Sequence, residues 1–170
     1  MPVSDLMDLL EKARHVIQLE IDELTNLRSR IDSRFSDAIQ LLMKTLESRG
    51  KFIVCGVGKS GNIGRKLAAT LNSTGATTVR LDVGDALHGD LGVIDTGDLA
   101  IVLSYSGETA EIVDLLPHLK RFSIPVIALC GNPDSSLGRN SDVFLDTHVT
   151  QEACPLNLAP TSSTTTMLVM

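Results

Sequence analysis

The sequence has no tryptophan, one tyrosine and four phenylalanines in 170 residues. Surfaces that stack nucleobases are built from such rings, so this composition argues against a single-strand-binding platform. Positive charge is also in short supply. Fifteen Lys and Arg stand against 21 Asp and Glu, for a net charge of −6. Nucleic-acid binders neutralise phosphates with an excess of cations, and no nucleic-acid partner is expected here. The three cysteines, Cys55, Cys130 and Cys154, form no C-x-x-C pair, which excludes a disulfide framework or a structural zinc knot. Cys55 and Cys130 each end an apolar run and read as small buried hydrophobes. No apolar run approaches the roughly 20 residues needed to cross a bilayer. The start, MPVSDLMDLLEKARH, lacks the continuous apolar core of a secretory signal. No membrane association is expected, and the location is read as cytoplasmic.

What remains is a globular composition, 43% hydrophobic and 21% charged, in a chain long enough for one domain with a sizeable core. Apolar residues from Leu6 to Ile31 recur at helical spacing over residues 5–30, and a second helix is predicted over about 34–49, stopped by Gly50. From Lys51 the texture changes to short β-branched runs alternating with helical stretches. KFIVCG, TTVRLD, DLAIVLS, PVIALCG and DVFLD read as strands. GNIGRKLAATLNSTG and TAEIVDLLPHLKRF read as helices, SSLGRNS as a short helix or turn, and TSSTTTMLVM as a capped helix start. The expected fold is an α/β three-layer α-β-α sandwich with a mostly parallel five-stranded sheet, preceded by two N-terminal helices. The division is a helical arm over 1–49, packing on the domain or on another subunit, and a domain over 50–170. The chain ends at Met170 inside an apolar helix, so truncation is expected there.

The stretch FIVCGVGKSGNIGRK combines glycines with Gly58-Lys59-Ser60. A P-loop would need its first glycine at position 53, which is Ile53, so that reading fails. Gly56, Gly58 and Gly61 match the dinucleotide pattern G-x-G-x-x-G after a strand, and Asp82 stands where an acid could take a ribose hydroxyl. The same glycines also suit a tight strand-to-helix turn. A second loop, VLSYSGETAE, places Ser104, Ser106, Gly107 and Thr109 between a strand's carboxyl end and a helix. Hydroxyls and backbone N–H groups at such a place form a cradle for a phosphate, and Ser60 could reach the same space.

Four segments, GVGKSGNIGRK, GDALHGDLG, LSYSGETAEI and EACPLNLAPTSSTT, resemble the D-arabinose 5-phosphate isomerase family, whose core is a sugar isomerase (SIS) phosphosugar-binding domain. The resemblance implies interconversion of D-ribulose 5-phosphate and D-arabinose 5-phosphate on the route to the Kdo sugar of lipopolysaccharide. It also implies an SIS fold over residues 50–170, a tetramer with sites between subunits, and no cofactor. It gives Lys59, Glu111, Glu152 and His88 as the catalytic set. The implied substrate-binding set is Gly58, Ser60, Gly75, Ser104, Ser106, Gly107, Thr109, Thr161 and Ser162. Many relatives carry a histidine associated with zinc where this chain has Asp82. No metal is therefore carried over, and the proton transfer requires none. The family's further catalytic histidine and its tandem CBS domains fall beyond Met170.

Aldose–ketose isomerisation moves a proton between C1 and C2 through an enediolate, so it needs a base and a group that stabilises an oxyanion. Either Glu111 or Glu152 fits the base, and partial burial is expected to raise the pKa of that group. Glu111 equally suits a solvated helix N-terminus. Lys59 could pair with phosphate or with the enediolate oxygen. His88 could open the sugar ring or shuttle a proton, with Asp85 and Asp90 orienting it. Glu108 is expected to point outward from its turn, and His15, His118 and His148 read as surface residues. Two other classes remain open: a phosphosugar-binding regulator without turnover, and a nicotinamide-dependent oxidoreductase.

Overall fold

A computed structural model describes residues 3–156 and 158–170, with side chains described from residue 8 onward except at 87. The side chain of Leu6 therefore lies outside the described residues. Helix α1 (Val3–Arg30) and helix α2 (Ser33–Glu47) precede strand β1 (Phe52–Gly56). Then follow α3 (Gly58–Ser73), β2 (Thr78–Leu81), α4 (Val83–Leu87), β3 (Leu99–Leu103), α5 (Ala110–Phe122), β4 (Val126–Cys130), α6 (Ser136–Arg139), β5 (Val143–Asp146) and α7 (Ser162–Val169). The five strands are all parallel in the order β2-β1-β3-β4-β5.

The three central strands are buried along their apolar runs because helices cover both faces, as parallel sheets require. Side chains alternate between two cores. Cys55, Ala100, Val102, Ala128 and Cys130 face α4, α5 and α6 with mostly small groups, and Ile112, Leu115 and Leu119 of α5 fill the space they leave. Phe52, Val54, Leu103, Ile127 and Leu129 face the other way, against Ala38 of α2, Ala68 of α3 and Met167 of α7. Helix α1 lies outermost on this second face, packed on α7.

Two local expectations need correction. The helix after β1 starts at Gly58, three residues before the GNIGRK stretch, so Lys59 and Ser60 belong to its first turn. The GDALHGDLG stretch is no plain loop: it forms α4 and a 3-10 turn over Asp90–Val93, with Asp82 capping α4 through a bond from the Gly84 N–H at 3.1 Å.

Candidate active site

The two loops singled out in the sequence meet at the centre of the sheet. β1 and β3 are neighbours, and Gly56 pairs in register with Leu103, so both strands end at the same level. From there α3 turns to one face and α5 to the other. That is the topological switch point of an open parallel sheet, where diverging loops leave a crevice for a ligand. The glycine pattern serves close packing. A Cβ on Gly61 would lie 2.6 Å from the Gly56 carbonyl oxygen, so only glycine lets α3 start against the end of β1. Gly58 has φ +58, a left-handed conformation that suits glycine.

The hydroxyl loop is organised from within. Ser104 is 2% exposed. Its Oγ lies 2.9 Å from Thr109 Oγ1 and accepts the Gly107 N–H at 3.2 Å. In the single chain the Ser104 hydroxyl is thus engaged within the loop itself. Ser106 is exposed, and its Oγ accepts the Glu108 N–H at 3.2 Å. Ser60 and Thr109 are half-buried at the helix starts of α3 and α5. Ser60, Ser106 and Thr109 are thus the groups of this region that could meet an anion, while the Gly107 N–H is held by the Ser104 hydroxyl and carbonyl and its carbonyl by the Leu137 N–H. Glu108 is exposed as expected, but its Oε1 accepts the Ser136 N–H at 2.7 Å. The hydrogen bonds from Ser136 hold its carboxyl below the ordinary range. Lys59 and Glu111 are exposed in the first turns of α3 and α5, and neither side chain has a partner among the described residues.

Glu152 lies in the segment after β5, at the same carboxyl end of the sheet. Its Oε2 accepts the N–H groups of Thr161 and Ser163 at 2.7 and 3.2 Å, and the Thr161 hydroxyl at 3.1 Å. Oε1 takes none of these three. Glu152 therefore caps α7 from nine residues upstream, while the expected cap, Thr161, makes no side-chain bond to the helix backbone. Burial pushes the Glu152 carboxyl up, but hydrogen bonds from Ser163 and Thr161 outweigh it and hold the group below its ordinary value. The expected rise towards neutrality is thus reversed, because the α7 N-terminus favours the ionised form.

Glu152 is tied electrically to the hydroxyl loop through Tyr105. The Tyr105 hydroxyl lies 3.3 Å from both the Val149 N and O. Burial raises its pKa, and the charges of Glu152 and Glu23 add to the rise. On its other side Glu152 lines an open groove of about 450 Å³ together with Lys12, His15 and Cys154. His15, read as a surface residue, is exposed but sits in this groove. No motif marks it, because its neighbours on α1 are ordinary amphipathic-helix residues. Thr161 and Ser162 hold the loop. Both hydroxyls accept the Ala153 N–H, at 2.8 and 3.1 Å, and Ser162 donates to Glu20 Oε1 at 3.1 Å. Ser162 is 0% exposed, which removes it from the groups a ligand can touch within this chain.

Three further expectations are not met within the chain. Gly75, with φ +90, follows the C-terminus of α3 and precedes β2. It therefore lies at the amino end of the strands, opposite the hydroxyl loop, where a left-handed residue ends a helix. His88 is exposed at the end of α4, and its ring bonds to neither Asp85 nor Asp90. Asp82 is engaged by the α4 cap and by Arg80 at 3.1 Å, so its carboxylate is already committed away from a ribose hydroxyl. No group of three or more His, Cys, Asp or Glu suited to a metal ion occurs among the described residues.

The sequence profile of the SIS domain matches residues 45–170. The arabinose 5-phosphate isomerase KdsD of Pseudomonas aeruginosa is 48% identical over 170 residues, covering 100% of this chain and 51% of that protein. KdsD of Escherichia coli K12 is 45% identical over 163 residues, covering 96% of this chain and 49% of that protein. The chain thus spans about half the length of the curated relatives it matches. Among solved structures, c3406 of E. coli CFT073 in complex with arabinose 5-phosphate superposes with a TM-score of 0.88 at 38% identity, covering 99% of this chain and 87% of that one. The Vibrio vulnificus NanR protein complexed with ManNAc-6P shares the fold, with a TM-score of 0.78 at 23% identity over 98% of this chain and 61% of its own.

Proposed function

The chain belongs to the SIS domain family, and from that premise we propose that it interconverts D-ribulose 5-phosphate and D-arabinose 5-phosphate, supplying the aldose for Kdo and lipopolysaccharide synthesis in the cytoplasm. The observation that carries this reading is the 48% identity to an arabinose 5-phosphate isomerase over all 170 residues. The phosphate binds at the switch point, to Ser60, Ser106 and Thr109. The amino ends of α3 and α5 add favourable potential for the dianion.

Glu152 is the base. It removes the C1 proton of the ketose and returns it to C2, while a hydroxyl proton passes from O1 to O2, so atoms and charge balance. A carboxylate held below its ordinary pKa is fully ionised at neutral pH but is a weak base. The enediolate must then be stabilised strongly, and that work falls to Lys59, whose ammonium has no competing partner among the described residues. Glu111 and His88 assist at the rim, His88 in ring opening. The active form is a homo-oligomer, a tetramer, in which the apolar side of the N-terminal helices is covered by other subunits. Leu10 and Ile17 of α1 are 57% and 61% exposed in the single chain, which supports such a contact.

The decisive experiment incubates the chain with D-arabinose 5-phosphate in deuterated water and follows the sugar by NMR. Deuterium at C2 together with appearance of the ketose is expected. Tight binding with neither exchange nor conversion would make it a phosphosugar-binding regulatory domain instead.

A further inference from the structure

Helix α1 lies outside the residues matched by the SIS domain profile, 45–170, yet two of its carboxylates hold the loop that carries Glu152. Glu23 is 2% exposed. It accepts the Thr150 N–H on both oxygens at 3.1 Å, the Gln151 N–H at 3.2 Å, and the Thr150 hydroxyl. Glu20, three residues back and so on the same face of α1, accepts the Ser162 hydroxyl at 3.1 Å, and Ser162 in turn accepts the Ala153 N–H at 3.1 Å. The residues immediately before and after Glu152 are thereby tied to one stripe of one helix. Burying a carboxylate is costly unless it is fully bonded. Glu23 is bonded to donors from a segment 127 residues away, where an apolar side chain would have packed α1 but left those N–H groups unmet.

We propose that Glu23, assisted by Glu20, is a positioning residue that sets the Glu152 carboxylate against the sugar carbon. The inference rests on the reading of Glu152 as the base. Oε2 of Glu152 is already pinned from one side by the start of α7, and α1 pins the backbone from the other. Together they hold Oε2 and the backbone on either side of Glu152. Proton abstraction from carbon is sensitive to such placement: a displacement of about 1 Å costs on the order of 100-fold in rate.

Glu23→Gln keeps the shape but replaces one acceptor with a donor facing the Thr150 and Gln151 N–H groups. It is expected to lower kcat on D-arabinose 5-phosphate by about 10- to 100-fold and to leave KM within about twofold, because the hydroxyl loop is untouched. Amide exchange at Gln151 and Ala153 should speed up while the amides of β1 and β3 stay protected. In the Glu152→Gln background, Glu23→Gln should cause no further loss of kcat, since it acts only through Glu152. Thr150→Val, which removes one donor and leaves the Glu23 side chain in place, should show a smaller loss in the same direction, and it decides the matter if Glu23→Gln fails to fold. Wild-type kcat in the variants, or losses that multiply with that of Glu152→Gln, would overturn the proposal. If Glu152→Gln alone keeps full turnover, it is the reading of the base that fails, and amide exchange still decides whether α1 holds the loop.

Discussion

The hydroxyls of Ser104 and Thr109 lie 2.9 Å apart, one buried beneath the loop and the other at the start of α5. Their bond divides the serines of the loop into two kinds. Ser104 shapes the loop, and Ser106 stands open to solvent. Ser106→Ala should therefore weaken binding of a sugar phosphate by about tenfold or more, the consequence of losing a charge-assisted bond of about 1.5–3 kcal/mol. Ser104→Ala should instead cost about 1–2 kcal/mol of fold stability, because the Gly107 N–H and the Thr109 hydroxyl lose a buried partner. Calorimetric binding and urea unfolding of the two variants check the division. Equal binding losses without loss of stability in Ser104→Ala would contradict it.

Gly107 and Gly58 both adopt left-handed backbone, φ +69 and +58, yet alanine should be tolerated at only one of them. A Cβ at Gly107 would meet Ser135 Oγ at 2.0 Å and Cys130 Sγ at 2.7 Å, whereas at Gly58 nothing lies within 4 Å. Gly58→Ala should cost only the backbone strain of about 1–2 kcal/mol. Gly107→Ala adds a clash with a buried thiol and hydroxyl, and should exceed that by several kcal/mol or prevent folding. Urea denaturation of both variants is the measurement.

The Glu152 carboxyl should titrate below the usual value of about 4.3 for glutamate. A folded-state pKa that is depressed contributes stability above the unfolded value, and this is lost as pH falls through the folded value. The contribution is thus complete at neutral pH and is lost progressively as pH falls below the unfolded value and through the folded one. Carbon-13 NMR, with the resonance assigned by its absence from Glu152→Gln, reports the midpoint directly. A midpoint near neutrality would contradict the hydrogen-bonding seen at the α7 N-terminus.

Glu152→Gln should lower turnover by about a hundredfold or more, the usual scale for removal of a general base. Binding should persist, because the hydroxyl loop is untouched. Lys59→Met should cost at least as much, since a weak base leaves more of the barrier to oxyanion stabilisation. Steady-state kinetics on both variants test this order.

Ile17→Lys on α1 should dissociate the proposed oligomer without unfolding the chain, because Ile17 is exposed and belongs to neither core cluster. Sedimentation velocity decides it. An unchanged assembly would move the contact elsewhere.

The strands were readable because each is a short apolar run covered on both faces: FIVCG, LAIVL and VIALC, buried at every position but Gly56, fit only inside a parallel sheet. The hydroxyl loop was readable for a similar local reason, since SYSGET stands between such a run and an amphipathic helix. What escaped depends on distance along the chain. The bond from Gly107 to Ser104 is local, but nothing near Ser104 says that its hydroxyl turns inward. The direction of the Glu152 shift is set by N–H groups nine and eleven residues later, which the loop folds back beneath it. The bonding of Glu23 depends on Thr150, and the groove position of His15 on the same loop, so the helix read as an arm packs on the segment that carries Glu152.

The parallel order β2-β1-β3-β4-β5 places the last strand beside α2 and below α1, and Arg30 at the end of α1 pairs with Asp146 at 3.0 Å across 116 residues. In synthesis, α1 is made before the segments it packs on and has none of them to dock on until β5 and the segment after it have been made. Strands β1 and β3 can pair long before that. Assembly of the sheet and docking of α1 are therefore separate events in time, and the second waits on closure of a contact across 127 residues, from Glu23 to Thr150. During that interval the amphipathic first helix is an exposed apolar surface on a nascent chain, the kind of segment that chaperones capture.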